Sequence, residues 1–146
     1  MADTAREVLT LEPMADDPEV GRWLAALEDA RRDTIRELAT VTAPMVDWQP
    51  PFLLESIGSL LYHVALIETS WLLDEIFAGE EPPAWLSAVL HAPDRDATGR
   101  LTRVEGEPLE RHLERLERIR RYLVDRLRPM ANTGFHTIRH LAERRG

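Results

Sequence analysis

Apolar residues recur every three or four positions along three long stretches of the chain, and this spacing predicts three α-helices. Asp17 followed by Pro18 is a cap with a first-turn proline and predicts the start of the first helix. Either Glu55 or Ser56 can cap the second helix, and Gly79 can end it. The predicted helices span about residues 17–41, 56–77 and 108–128.

The apolar positions within each stretch predict the face that each helix turns to the core. They are Val20, Trp23, Leu24, Leu27, Ile35 and Leu38; Ile57, Leu60, Leu61, Val64, Ile67 and Trp71; and Leu109, Leu113, Leu116, Ile119, Leu123 and Leu127. We expect Trp23 and Trp71 to anchor the core. The charged residues between the apolar positions of the third helix are expected on a solvated face, with pairs such as Glu107 with Arg111.

The connections between the helical stretches are rich in proline, and together with the helices they indicate the fold class. "TAPMVDWQPPF" makes a stiff link after the first helix, and a long crossover containing the short helical stretch "PPAWLSAVLHAP" joins the second helix to the third. The last residues, "ANTGFHTIRHLAERRG", predict a short fourth helix, and strand-like alternation is absent. The sequence therefore predicts one all-α domain over residues 1–146, a four-helix bundle with a loosely ordered arm over 1–16.

Charge and composition narrow the classes of function. The chain has 146 residues, is 44% hydrophobic and carries a net charge of -8. An acidic surface argues against nucleic acid and against anionic membranes as partners. Neither a signal peptide nor an apolar run of the ~20 residues that a membrane span needs is present, so we expect a cytoplasmic protein. All 18 basic residues are arginine, which is typical of GC-rich bacterial genomes.

The histidines are the candidates for chemistry, because the chain has no cysteine and any metal must be bound by histidine or carboxylate. His136 and His140 stand four residues apart, so on a helix they project from one face and can bind one divalent ion. His63, on the flank of the apolar stripe of the second helix, is the candidate third ligand. His91 and His112 are expected to be exposed and incidental.

"DWQPP" followed by "SIGSLLYHVALIETSWLLDEIFAGEEPP" resembles the DinB-like superfamily of bacterial four-helix bundles. The residues that carry the resemblance are Trp48, Pro50, Ser56, Ile57, Gly58, His63 and Trp71. It extends over about residues 17–128 and is strongest over 47–83. The resemblance implies that the histidine of the second helix binds a metal together with a His-x-x-x-His pair on the last helix.

The end of the chain departs from that pattern. Aligning Arg145 and Gly146 with the family's ending places His140 at the first ligand position and Arg144 at the second. Arginine has no lone pair to offer a cation, so His136 would have to substitute. The tail is also shorter than in such proteins, and its clearest apolar face points nearly opposite to the two histidines. A degraded, a truncated and a frame-altered ending are all compatible with this sequence.

The resemblance implies a metal-dependent enzyme of unknown substrate. Three neutral imidazoles with an open position suit Zn²⁺ or Ni²⁺. Such proteins include transferases that use low-molecular-weight thiols and metal-dependent hydrolases, so we expect a small-molecule or thiol substrate. The alternative is a family member that has lost its metal because of Arg144 and serves as a non-catalytic, oligomerising module. An unrelated bundle that binds a protein partner is a third possibility.

A homodimer is expected in either of the first two cases. A short last helix leaves apolar surface of the other three helices uncovered, and each buried leucine or isoleucine is worth roughly 1.5–3 kcal/mol. A second copy of the chain would cover that surface.

Overall fold

The computed structural model describes residues 10–52 and 55–131, and the regular structure of these residues is helical apart from one isolated bridge between Arg95 and Leu101. The predicted all-α class is confirmed, whereas the predicted fourth helix lies outside the described residues. The helices are α1 (Pro18–Glu37), α2 (Ala43–Val46), α3 (Ile57–Ser70), α4 (Leu86–Val89) and α5 (Leu109–Leu127). A 3₁₀ turn (Leu38–Thr40) extends α1, and a π-helical turn (Trp71–Ile76) extends α3.

The predicted helix starts are confirmed by the capping bonds. Oδ1 of Asp17 accepts hydrogen bonds from the backbone N–H groups of Glu19 at 3.0 Å and Val20 at 3.1 Å. Oγ of Ser56 accepts from the backbone N–H of Ser59 at 3.2 Å, so Ser56 is the cap of α3. These side chains satisfy donors that the first turn of a helix leaves without a partner.

The core lies where α1, α3 and α5 meet, and α4 in the crossover closes one side of it. One buried cluster joins α1, the end of α3 and the end of α5, and it comprises Val20, Leu24, Leu72, Leu123, Val124 and Leu127. A second joins α3, α4 and α5, and it comprises Leu61, Ala65, Leu73, Leu86, Leu116 and Ile119. Met14 and Ala15, which precede α1, pack against the first cluster.

Helix α3 buries a different face from the predicted one. Its buried side chains include Leu61, Tyr62 and Ala65, whereas most of the predicted apolar stripe is exposed. Trp71 is 64% exposed and Trp23 of α1 is 56% exposed, so the prediction that both anchor the core is wrong. The reason is that α3 is apolar nearly all the way round, and periodicity cannot then decide which face packs.

The prediction of a solvated charged face on the third helix is also wrong in part. Arg120 of α5 is 5% exposed, and its guanidinium donates to Glu68 of α3, to Glu28 of α1 and to the carbonyl of Leu27. Arg31 of α1, which is also buried, binds Glu68 as well. These ion pairs join all three long helices, because each arginine satisfies the carboxylate of a neighbouring helix.

None of the helices within the described ranges combines the length and the apolar character that a bilayer crossing requires.

Candidate functional site

His63 is paired with a carboxylate from the crossover. The Nδ1 atom of His63 on α3 lies 2.5 Å from Oδ1 of Asp94, and the two side chains are 25% and 39% exposed. The sequence predicts His63 on the flank of the apolar stripe, and its side chain is partly accessible there. The sequence does not identify Asp94 as its partner. Because the two residues are 31 positions apart, local spacing carries no signal for this contact.

The neighbouring residue Tyr62 fixes the crossover next to Asp94. Its hydroxyl donates to the carbonyl of Ala92 at 2.9 Å and accepts from the backbone N–H of the same residue at 2.7 Å. Tyr62 is 1% exposed, and burial raises the pKa of its phenol above the usual value of 10.0. The hydroxyl therefore keeps its proton at neutral pH and holds the backbone two residues before Asp94.

A tight turn holds the chain after Asp94. The backbone carbonyl of Asp94 accepts from the N–H of Thr102 at 3.0 Å. Within the turn, Oδ1 of Asp96 accepts from the backbone N–H of Thr98 at 2.8 Å and from its hydroxyl at 2.6 Å. The bonds from Thr98 lower the pKa of Asp96 below 3.8, so the carboxylate that organises the turn is ionised at neutral pH.

Arg115 of α5 contacts the ring of Tyr62 and binds the crossover. Its guanidinium lies 4.7 Å from the centre of the Tyr62 ring, within the range of a cation–π contact. Its Nε donates to the carbonyl of Val89 at 2.9 Å, and its Nη2 lies 2.5 Å from Oε2 of Glu107. Glu107 thus pairs with Arg115 rather than with the predicted Arg111, and one buried arginine links α5 to α4 and to the last part of the crossover.

His112 is fully buried, so the prediction that it is exposed and incidental is wrong. Its Nδ1 lies 3.1 Å from Nη1 of Arg115, and its Nε2 has no hydrogen-bond partner among the described residues. Burial, followed by the positive charge of Arg115, lowers the pKa of His112 below 6.5. Because arginine only donates, Nδ1 is the acceptor and Nε2 carries the proton.

His91 is exposed, as predicted. Its side chain is 51% exposed, and its ring lies edge-on to that of Tyr62 with the centroids 5.5 Å apart. It contributes packing to the Tyr62 side of the site.

The pairing with Asp94 determines what His63 can do chemically. A proton on Nδ1 that is held by the carboxylate leaves Nε2 with its lone pair, which suits a metal ligand or a general base. Among the described residues, no three histidine, aspartate or glutamate side chains form a group that could hold a metal ion. His136 and His140, the other two predicted ligands, lie outside the described residues.

Glu68 has no part in this site. Both Arg31 and Arg120 bind its carboxylate, which joins the long helices away from His63. Asp74 is also separate from His63, because eleven residues of helix at 1.5 Å per residue place them roughly 16 Å apart, and it accepts a hydrogen bond from Ser70 at 2.6 Å.

The fold and the site together define an all-α protein in which a long crossover brings a carboxylate to a histidine of the central helix. A family model of the DinB superfamily matches residues 26–145, and the chain belongs to this superfamily. The match includes His63 and both histidines of the tail. No curated protein and no solved structure matches the chain.

Proposed function

We propose that this protein binds a divalent metal ion, Zn²⁺ or Ni²⁺, through Nε2 of His63 together with His140 and His136. The observation that carries the proposal is the contact between Nδ1 of His63 and Asp94. Histidines that bind metals usually donate their second N–H to a carboxylate or a carbonyl, which fixes the ring and makes the ligating nitrogen more basic.

The donor set fits such an ion. Neutral imidazoles are good ligands for Zn²⁺ and Ni²⁺, and a chain without cysteine has no thiolate to offer. Arg144, which aligns with a ligand position of the family, has no lone pair, so His136 is the second ligand from the tail. A metal ion bound by three histidines acts as a Lewis acid and lowers the pKa of a bound water or thiol.

The reaction class that we propose is thiol-dependent group transfer or hydrolysis of a small molecule, in keeping with the family resemblance. In such a reaction Asp94 holds the proton on Nδ1 of His63 and keeps Nε2 free for the metal. Tyr62 and Arg115 act indirectly, because they hold the crossover that carries Asp94.

The test is metal analysis of untagged protein, followed by titration with Zn²⁺ and with Ni²⁺ and by elemental analysis after dialysis. We expect about one ion per chain in the unaltered protein. His63→Ala should abolish tight binding, and both His140→Ala and His136→Ala should weaken it. The matched control is His91→Ala, which removes an exposed histidine that contacts Tyr62 but lies outside the ligand set. Equal metal contents in the unaltered protein and in His63→Ala would overturn the proposal.

A second candidate is a non-catalytic module that has lost its metal. It is favoured by Arg144 at a ligand position of the family, because arginine has no lone pair to offer a cation. The same titration distinguishes the two candidates, because a module of this kind would bind neither Zn²⁺ nor Ni²⁺ in the unaltered protein.

A further inference from the structure

A partly open cavity lies between α4 and α5. It is lined by two residues of α4, Ala88 and Val89, and by four residues of α5, Arg111, Glu114, Arg115 and Arg118. The three arginines follow the spacing i, i+4 and i+7, which places them along one side of α5. The volume of the cavity is about 150 Å³, which is enough for a ligand of about six heavy atoms.

The charge of this cavity is opposite to that of the chain as a whole. The chain carries a net charge of -8, whereas the described residues that line the cavity bring three guanidinium groups and the single carboxylate of Glu114. Glu107 compensates the charge of Arg115, since its Oε2 lies 2.5 Å from Nη2. Glu114 lies 3.8 Å from Arg111 and both side chains are largely exposed, so this pair is weak. An excess of positive charge therefore remains around the cavity.

Arg115 is a fixed part of the wall of the cavity. It is 4% exposed, and its guanidinium is held at Nε by the carbonyl of Val89, at Nη1 by His112 and at Nη2 by Glu107. Its donors are already in use, so donors for a ligand have to come from the other two arginines. The rigid wall keeps α4 and α5 in place before a ligand arrives, which lowers the entropic cost of binding.

Arg118 has donors that the described part of the chain does not use. Its guanidinium carbon lies 4.3 Å from the centre of the Trp85 ring, and this cation–π contact positions the group without satisfying its N–H donors. Within residues 10–52 and 55–131 no carboxylate pairs with Arg118. Arg121 on the same helix, in contrast, lies 3.0 Å from Glu117. The charge beside the cavity is thus not neutralised as it is elsewhere on α5.

We propose that this cavity binds a small molecule through an oxyanion group, a phosphate or a carboxylate. Arg118 and Arg111 donate to the oxyanion, because the planar fork of a guanidinium matches two oxygens of either group. Ala88 and Val89 offer apolar contact to the part of the ligand next to that group. None of these residues is a ligand of the proposed metal site, so the proposal does not rest on metal binding.

The test is a titration of the full-length protein with inorganic phosphate and, separately, with acetate. Constant ionic strength is required, because salt screens exposed charges. The side-chain Nε–H resonances of the arginines in heteronuclear NMR spectra report both the site and the affinity. We expect the resonances of Arg111 and Arg118 to shift and to saturate, whereas that of Arg121 stays in place. The anion that binds more tightly identifies the group as a phosphate or as a carboxylate.

Two variants of α5 should change the affinity in opposite directions. Arg118→Gln removes charged donors and should weaken binding about tenfold. Glu114→Gln removes the carboxylate that lines the cavity and should tighten binding about threefold, which a variant that merely damaged the fold could not do. The matched controls are Arg121→Gln and Glu117→Gln, which remove the same charges from an exposed pair outside the cavity and should leave the affinity unchanged.

Two outcomes would overturn the proposal. The first is a protein in which neither anion produces a saturating shift at Arg118. The second is equal weakening by Arg118→Gln and Arg121→Gln, because the anions would then respond only to the total charge of the surface. His63→Ala should leave anion binding intact, so failure of the metal proposal and failure of this one can be told apart.

Discussion

The imidazole of His112 on α5 packs directly against the backbone of Gly58 on α3. A Cβ atom placed on Gly58 would lie 3.1 Å from Nε2 of His112, closer than ordinary van der Waals contact. It would also lie 3.2 Å from Cγ1 of Val46, which is 1% exposed. The glycine of the "SIG" sequence therefore allows a close approach of α3 to α5, and a side chain at this position would require His112 and Val46 to shift by a few tenths of an ångström.

Gly58→Ala should destabilise the protein by about 1 kcal/mol. Overpacking of a core costs ~1–3 kcal/mol, which exceeds the ~0.5–1 kcal/mol that alanine gains over glycine within a helix. Urea unfolding measures the difference in the free energy of unfolding. Val46→Ala makes room beside Gly58, so the double variant should be more stable than the sum of the two single effects predicts. A Gly58→Ala variant that is more stable than the unaltered protein would contradict this account.

His112 should make the protein less stable in acid. Its pKa in the folded state lies below the ordinary 6.5, so between these two pKa values the unfolded chain binds more protons than the folded one. The free energy of unfolding therefore falls as the pH drops through this window and levels off below the folded pKa. Protonation also places two cations in contact, because Nδ1 of His112 faces Arg115, while Glu107 and Asp47 lie near enough to oppose the effect.

Urea unfolding between pH 5 and pH 8 measures this dependence. His112→Gln keeps an acceptor for Arg115 and removes the titrating ring, so it should flatten the pH dependence of stability. His91→Gln is the control, because it removes an exposed histidine of the crossover. The same slope in His112→Gln as in the unaltered protein would show that other groups cause the acid sensitivity.

Glu68→Ala should cost about 3–5 kcal/mol, because it leaves the buried guanidinium groups of Arg31 and Arg120 without their shared carboxylate. The control is Glu117→Ala, which breaks an exposed pair with Arg121 and should cost no more than about 1 kcal/mol. Urea unfolding at neutral pH compares the two. Similar losses in both variants would mean that the Glu68 ion pairs are effectively solvated.

The helices could be predicted from the sequence because their signals are local. The proline after Asp17 and the hydroxyl of Ser56 act within one helical turn, and the structure confirms both starts. The buried face of α3 could not be predicted in the same way. Both sides of this helix are apolar, so the choice depends on which helices pack against it, and the exposed row through Val64 and Trp71 was taken for the core.

The same difference between local and long-range features decides which residues of the candidate site could be predicted. His63 was found because its spacing and the surrounding motif are local features of α3. Asp94 could not be predicted because it lies within a proline-rich crossover that has no periodicity, and it contacts His63 only in the folded chain. The burial of His112 could not be predicted because it results from the packing of α5 against Gly58 of α3, 54 positions away in the sequence.

Tyr62→Phe should loosen the crossover next to Asp94. The substitution keeps the buried ring but removes both hydrogen bonds to Ala92, and leaving these backbone groups without partners costs about 1–3 kcal/mol. Amide hydrogen exchange should accelerate at Ala92 and in the residues that follow. Tyr122→Phe, in a ring that packs edge-on to Trp85 at 5.6 Å, is the control and should leave exchange at Ala92 unchanged. Unaltered exchange in Tyr62→Phe would mean that the turn after Asp94 holds the crossover without it.

Asp94→Ala should weaken Zn²⁺ binding by about 10- to 100-fold without abolishing it, because it removes the carboxylate that orients His63 but no ligand of the proposed site. Asp94→Asn keeps an acceptor for Nδ1 and should give a smaller loss. Asp74→Ala is the control, since it removes an exposed carboxylate on the extension of the same helix. Zinc titration against a competing chelator measures all three.

If Asp94→Ala bound zinc as tightly as Asp74→Ala, then Asp94 would hold the crossover to α3 without acting on the metal. If it abolished binding as completely as His63→Ala, then Asp94 would itself be a ligand.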